Sequence, residues 1–327
     1  MCIEIKTPQK VLDIGGLKVG GKPGENPIFM IGTMFYSGHS IVGKRKEGTF
    51  DKARAEELLA HHDEMCDRYG ISACIDVVAN FPEEMEKYID FVASHCDWPI
   101  MIDAWKVPPK LGGAKYAVEA GLKGRVIYNS IAPWSEDLQS EIDTLKELKL
   151  SNALLVAFNT EDPSPQGRIT LLDQKLIKAA QDAGFTNLLI DTSVLTVPLI
   201  AYSMLANQLV KEKYGWPAGC APSNGSDAWR LPDPENPEKK RSVKKIWGKT
   251  VFEGIDSAGH AITAIYYCDF LLYGAIENNA WLFPTCAVAD SILATLRYGT
   301  EKTLPPSEKH PLAVLIPDFV EQAKSMM

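Results

Sequence analysis

No CxxC pair occurs in this chain of 327 residues, whose seven cysteines (Cys2, Cys66, Cys74, Cys96, Cys220, Cys268 and Cys286) are scattered among six equally dispersed histidines. A zinc site, which needs such ligands at short spacings, is disfavoured. A membrane span is missing too. The longest uncharged run, Thr192 to Val210, carries Thr192, Ser193, Thr196, Ser203, Asn207 and Gln208 and reads as strand end, turn and buried helix. Positive charge is in deficit, with 34 Lys and Arg against 42 Asp and Glu, a net of -8, so attraction to nucleic acid or to an anionic membrane is not its occupation. The odd cysteine count and the want of a basic-then-apolar leader point to a reducing, cytoplasmic setting with buried free thiols. What is there, 46% hydrophobic and 23% charged residues, is the composition of an ordinary globular protein that meets a small molecule or another protein.

Eight apolar, β-branched runs recur along the chain: Ile28 to Gly32, Ile71 to Val77, Ile100 to Ala104, Arg125 to Ser130, Ala153 to Asn159, Asn187 to Thr192, Pro217 to Ala221 and Phe270 to Gly274. Between them lie amphipathic stretches. Met85, Tyr88, Ile89, Val92 and Cys96 share one helical face, as do Leu138, Ile142, Leu145 and Leu148. Gly70, Gly121 and Gly184 stand where helices would end, and Pro133 to Ser135 followed by Asp137 where one would start. Continuous apolar strands alternating with helices indicate a parallel sheet covered on its faces, and eight units suggest an α/β fold of the closed (β/α)8 TIM-barrel type. An open doubly wound sheet is the alternative, without the G-x-G-x-x-G that would support it. We expect one domain over residues 1–327, with an N-terminal extension at 1–27. A charged, proline-rich excursion at about 225–250 is either a solvated loop or a lid or partner contact.

Chemistry in such a barrel stands at the C-terminal ends of the strands. The apolar runs end on Asp76, Asp103, Asn129, Asn159, Asp191 and Asn224, at intervals of 26 to 33 residues. One Asp or Asn after a strand is an ordinary helix cap or turn residue; six in succession exceed what capping requires. A ring of carboxylates and carboxamides without a basic clamp does not suit phosphate or carboxylate substrates. It suits a neutral heterocycle rich in donors, such as a pterin, whose N3–H and 2-amino group one carboxylate can accept as a pair. Magnesium or manganese would want Glu or His beside the carboxylates, and the strand ends supply neither until Glu277. His39 either reaches the pocket mouth or bonds to its own loop, and His61 and His62 serve as surface or packing residues. Trp105, Trp134 and Trp229 either pack at the rim or stack on a ring or a corrinoid.

The segments IGTMFYSGHSIV (Ile31 to Val42), CIDVV (Cys74 to Val78), KYIDFV (Lys87 to Val92), MIDAW, RVIYNSI (Arg125 to Ile131), LLIDTSVL (Leu188 to Leu195), VKEKYGWPAGC (Val210 to Cys220) and FLLYGAIEN (Phe270 to Asn278) resemble the H-subunit family of tetrahydromethanopterin S-methyltransferase. The likeness runs from about residue 28 to 290. It implies a pterin-binding barrel grouped with methyltetrahydrofolate methyltransferases, nearest to the soluble enzymes of glycine-betaine demethylation that exchange a methyl group between a corrinoid protein and tetrahydrofolate. By resemblance, Asp103, Asn129 and Asp191 contact the pterin, Asp76 closes the second strand, and Asn224 stands near N5. Pro222-Ser223-Asn224 departs from the Ala-His-Asn usual in the methanogen family members, which removes a histidine role there.

The expected activity is therefore corrinoid-dependent methyl transfer between methylcob(III)alamin on a partner corrinoid protein and N5 of tetrahydrofolate, with no tightly bound metal. Asn224 would serve N5 and the other five residues would hold the ring. Such transfer is an in-line displacement in which positioning supplies much of the catalysis. The resemblance also implies a cytoplasmic homodimer. Two alternatives stand beside it: a non-catalytic or pterin-docking subunit of a larger corrinoid complex, and a dihydropteroate-synthase-like enzyme, which would need Lys or Arg at the strand ends.

Overall fold

The computed structural model of the chain describes residues 5–326; Cys2 and the first residues of the extension lie outside them. The extension forms an antiparallel hairpin, β1 (Val11–Ile14) and β2 (Leu17–Gly20). Seven parallel strands follow: β3 (Phe29–Met34), β4 (Ser72–Val78), β5 (Ile100–Asp103), β6 (Val126–Ile131), β7 (Asn152–Val156), β8 (Asn187–Asp191) and β9 (Ala218–Cys220). Within the 225–250 excursion, β10 (Arg230–Pro232) and β11 (Lys240–Ser242) make a second small antiparallel pair. Finally β12 (Phe270–Ala275) pairs with both β9 and β3 and closes the barrel. All eight expected strands are present, and closure removes the open-sheet alternative.

The helices alternate with these strands: α1 (Lys52–Tyr69), α2 (Pro82–His95), α3 (Val107–Glu119), α4 (Leu138–Leu148), α5 (Pro165–Leu171), α6 (Ile177–Asp182), α7 (Ile200–Tyr214), α8 (Pro222–Ala228), α9 (Val243–Trp247), α10 (Lys249–Ala264) and α11 (Asn279–Glu301). A turn of π-helix joins α5 to α6, and α12 (Pro311–Leu315) and α13 (Pro317–Ser325) end the described chain. The periodicities hold: α2 buries Met85, Tyr88, Ile89 and Val92, and α4 buries Ile142 and Leu145. Asp137 caps α4 by accepting from Ser140 N, which starts the helix after Pro133 to Ser135 rather than at them. Gly70 takes the left-handed conformation that ends α1. The expectation of a buried helix within Thr192 to Val210 needs correcting, because α7 packs one face and leaves Tyr202 and Leu205 on the other exposed.

Phe29, Ile31, Cys74, Met101, Ile127, Leu154, Leu189 and Phe270 fill the barrel interior, and Leu12, Ile14 and Val19 of the hairpin belong to the same cluster. The extension is therefore a plug for the bottom of the barrel. Buried Lys211 fastens it, donating to both carboxylate oxygens of Asp269 at 2.7 Å and to the Gly21 carbonyl at 2.9 Å. The excursion is more structured than a solvated loop: the buried Asp233 takes Arg241 Nε at 2.5 Å, and Trp229 meets Trp247 edge to face at 5.5 Å.

Candidate functional site

Side chains along a strand alternate between its two faces. Two residues beyond Ile31, Cys74, Met101, Ile127, Leu154 and Leu189 stand Thr33, Asp76, Asp103, Asn129, Val156 and Asp191, which must share the inward direction of that apolar layer. A bond confirms it: Asn129 Nδ2 on β6 lies 3.5 Å from Asp76 Oδ1 on β4, across the intervening β5, a span that only inward-pointing groups can make. Thr33 donates to the other Asp76 oxygen at 3.0 Å. Asp103 stands in register with Asn129, so four of the strand-end residues form one polar layer above the core.

Burial governs the electrostatics. Removal from water, and then the nearby Asp103, push the Asp76 carboxyl well above its usual range, against the donors Thr33 and Asn129. Burial also raises Asp103 to about 6, opposed by the charge of Lys110, and Asp191 to about 6, opposed by the Ser193 amide and by Arg168. One oxygen of Asp191 accepts from Ser193 N at 2.7 Å, and no described residue donates to the other. No described residue donates a hydrogen bond to the Asp103 carboxylate. The layer thus holds acceptor capacity that its own scaffold leaves unused, which a buried donor pair would satisfy.

Two cations escaped the strand-end reading because they sit on helices. Lys110 of α3 donates to the Ser130 carbonyl at 2.6 Å and to Glu141 at 3.0 Å, while Glu141 also takes the phenol of Tyr128 and the hydroxyl of Ser135. Arg168 of α5 donates to the carbonyls of Thr192 and Ser193 and to Ser203 Oγ. Both bias the pocket carboxyls; Lys110 is tied to Ser130 and Glu141, whereas Arg168 makes these bonds through one terminal nitrogen and its buried Nε has no partner among the described residues. Each is the fourth residue of the helix that follows its strand, α3 after β5 and α5 after β7, a position that the sequence shows without showing which carboxyl it approaches.

Asn159 is placed differently from its companions. The strand ends at Val156, and Asn159 accepts from the amides of Glu161 and Asp162 and donates to the Gly167 carbonyl, so it shapes the loop beyond β7. Asn224 sits on α8 just above β9, exposed, and none of the described residues bonds to its carboxamide. Its neighbour Ser223 turns inward and donates to the buried Asp256 at 3.3 Å; Trp281 Nε1 reaches the other Asp256 oxygen at 3.3 Å. His39 bonds within its loop: Nδ1 accepts from Phe35 N at 3.0 Å, so Nε2 carries the hydrogen and donates to Glu277 at 3.2 Å. His62 is fully buried, with burial lowering its pKa to about 3, and His61 is exposed. Trp105 and Trp134 stack on each other at the rim, 5.2 Å apart. Among the described residues no group of three or more His, Cys, Asp or Glu is arranged to hold a metal ion, and no helix is long and apolar enough to cross a membrane.

Comparison with known proteins supplies an independent line. The family described as "Tetrahydromethanopterin S-methyltransferase MtrH subunit" matches residues 7–302. The H subunit of tetrahydromethanopterin S-methyltransferase from Methanothermobacter thermautotrophicus is 36% identical over 318 residues, 94% of this chain and 98% of that one. Its counterpart from Methanopyrus kandleri is 35% identical, with 94% and 97% covered. The H subunit of a putative mtx methyltransferase from Methanosarcina mazei is 31% identical, with 94% and 98% covered. Among solved structures, Xanthomonas albilineans dihydropteroate synthase superposes with a TM-score of 0.58 at 17% identity, over 88% of this chain and 99% of that one. The Yersinia pestis enzyme gives 0.57 at 15%, over 89% and 100%. At such identities these two share the fold alone.

Proposed function

Since the chain belongs to the MtrH family of tetrahydromethanopterin S-methyltransferase subunits, we propose that it transfers a methyl group between a corrinoid carried by a partner protein and N5 of a reduced pterin, tetrahydrofolate. The polar layer of Asp76, Asp103, Asn129 and Asp191 carries this reading. Its free acceptors suit the adjacent N3–H and 2-amino donors of a pterin, and its position above the apolar interior buries the ring. The strand-end positions themselves carry Asp and Asn where the pyrophosphate of a dihydropteroate reaction would want Lys or Arg.

In the pterin-methylating direction, N5 attacks the methyl carbon of methylcob(III)alamin, the carbon–cobalt bond breaks with its electron pair left on cobalt as cob(I)alamin, and N5 loses a proton. The chain holds N5 in line with the methyl group, about 3 to 3.5 Å from its carbon. Asn224 hydrogen-bonds N5 in either protonation state, because a carboxamide offers both a donor and an acceptor. In the reverse direction the same amide stabilises N5 as it leaves. Asn159 supports the site by shaping its loop, and the protein works in the cytoplasm.

The reading extends to a homodimer. Val288, Ile292 and Leu296 of α11, spaced four residues apart, line up on one exposed face, and the first two share a groove with the exposed Leu315 and Ile316. An apolar patch of this kind on the outside of a barrel is covered most simply by a second copy through a two-fold axis.

The test is to mix the purified protein anaerobically with methylcobalamin, free or on a corrinoid protein, and either tetrahydrofolate or tetrahydromethanopterin, and to follow the loss of the methyl-Co(III) absorbance. Turnover with tetrahydrofolate supports the proposal; turnover with tetrahydromethanopterin alone reassigns the substrate, and none with any pair rejects the enzyme.

A further inference from the structure

Beside the polar layer a groove of about 680 Å³ opens between α3 and α4, walled by Pro82, Trp105, Pro108, Leu111, Ala132 and Trp134. Its size lies within the ordinary range for small-molecule sites. Trp105 is 77% exposed and its ring stacks on Trp134, itself 39% exposed, at 5.2 Å and 15°; Trp134 in turn meets the edge of Phe158 at 6.5 Å. One indole face covered by another leaves the outer face of Trp105 bare, which no internal packing explains.

The platform stands on the loops that leave two strands of the polar layer, β5 and β6. Trp105 follows Asp103 by two residues, and Trp134 follows Asn129 by five. Lys110 joins the two regions, since it lines the groove and its charge acts on Asp103. Reduced folates and methanopterins both carry an arylamine ring on a one-carbon bridge at C6 of the pterin, and that ring must leave the pocket over its rim. We infer that this groove is the subsite for the arylamine arm, with Trp105 as the stacking surface; the inference rests on the pterin reading above. The lysines and acids on the groove walls are mixed, with Lys106 and Lys115 facing Glu136 and Asp137. Recognition here is therefore aromatic rather than ionic.

Anaerobic calorimetry tests this with two ligands, tetrahydrofolate and 6-methyltetrahydropterin, which lacks the arm. For the unmodified protein tetrahydrofolate should bind more tightly. Trp105→Ala should weaken tetrahydrofolate about three- to tenfold, the range for one aromatic stack, and leave 6-methyltetrahydropterin unchanged; Trp105→Phe should recover most of the loss. Equal binding of both ligands by the unmodified protein, or equal effects of Trp105→Ala on the two, would overturn the subsite and leave the pterin pocket standing. Binding of neither ligand would overturn both. Unchanged pterin affinity together with slower turnover against a corrinoid protein would overturn the subsite and assign Trp105 to the partner's contact.

Discussion

Thr33 donates its hydroxyl to Oδ2 of Asp76 at 3.0 Å from the adjoining barrel strand, in register with it. With Asn129 reaching the other oxygen from two strands away, Asp76 is held from both sides. It thereby becomes the fixed point of the polar layer, while Asp103 and Asp191 keep acceptor capacity for a ligand.

Asp191→Ala should weaken pterin binding roughly five- to a hundredfold, because a donor pair buried without its acceptor costs about 1–3 kcal/mol. Calorimetry with tetrahydrofolate checks this, and unchanged affinity would remove Asp191 from the pocket.

Asn224→Ala should behave differently. The carboxamide is exposed and bonded to none of the described residues, so its loss should leave pterin affinity within about twofold while lowering kcat at least about tenfold. Equal losses in both would make Asn224 a binding residue.

Protonation of the two carboxyls at about 6 sets a pH dependence. A protonated acid cannot accept a paired donor edge, so pterin affinity should climb from pH 5 to 7 and then level off, and Asp191→Asn should flatten the slope. Stability runs the other way. These folded-state values lie above the ordinary 3.8 for Asp, so the stabilising contribution is complete below about pH 4 and is lost as pH rises through 6. Thermal melts should show Asp103→Asn stabilising the ligand-free protein by up to about 3 kcal/mol at pH 7.5 and not at pH 4.

At the opposite end of the barrel, Lys211→Ala would strand the Asp269 carboxylate beneath the hairpin plug. Breaking a buried pair by removing one partner costs about 3–5 kcal/mol. A melt lowered by several degrees with unchanged pterin affinity is the expected result, and an unchanged melt would show that the plug is held by its apolar contacts alone.

The eight strands were legible because strands covered on both faces run apolar almost without interruption, and their ends were legible because Asp76, Asp103, Asn129 and Asp191 break those runs at the inward-facing position. Asn159 shows the limit of that rule: Ala157 and Phe158 prolong the apolar run past the end of β7, so the residue that closes the run belongs to a loop. Lys110 and Arg168 stayed hidden since their approach to Asp103 and Asp191 depends on how α3 and α5 pack back on the barrel. The plug was read only as an extension, because Leu12, Ile14 and Val19 form a pattern too short to show where they dock.

Ile292→Asp should break the proposed dimer by placing a charge in the middle of the Val288–Leu296 face. Light scattering should report a monomer with a normal melt, whereas an intact dimer would move the interface elsewhere.

Label transfer decides whether the barrel moves a methyl group at all. Methylcobalamin carrying a 13C methyl group, presented on a corrinoid protein, is incubated anaerobically with tetrahydrofolate and the protein. The 13C resonance should move from its cobalt-bound position to that of an N5-methyl group, in step with the appearance of cob(I)alamin and much more slowly with Asn224→Ala. Label that stays on cobalt, while the protein still binds the pterin, would rule the transfer out.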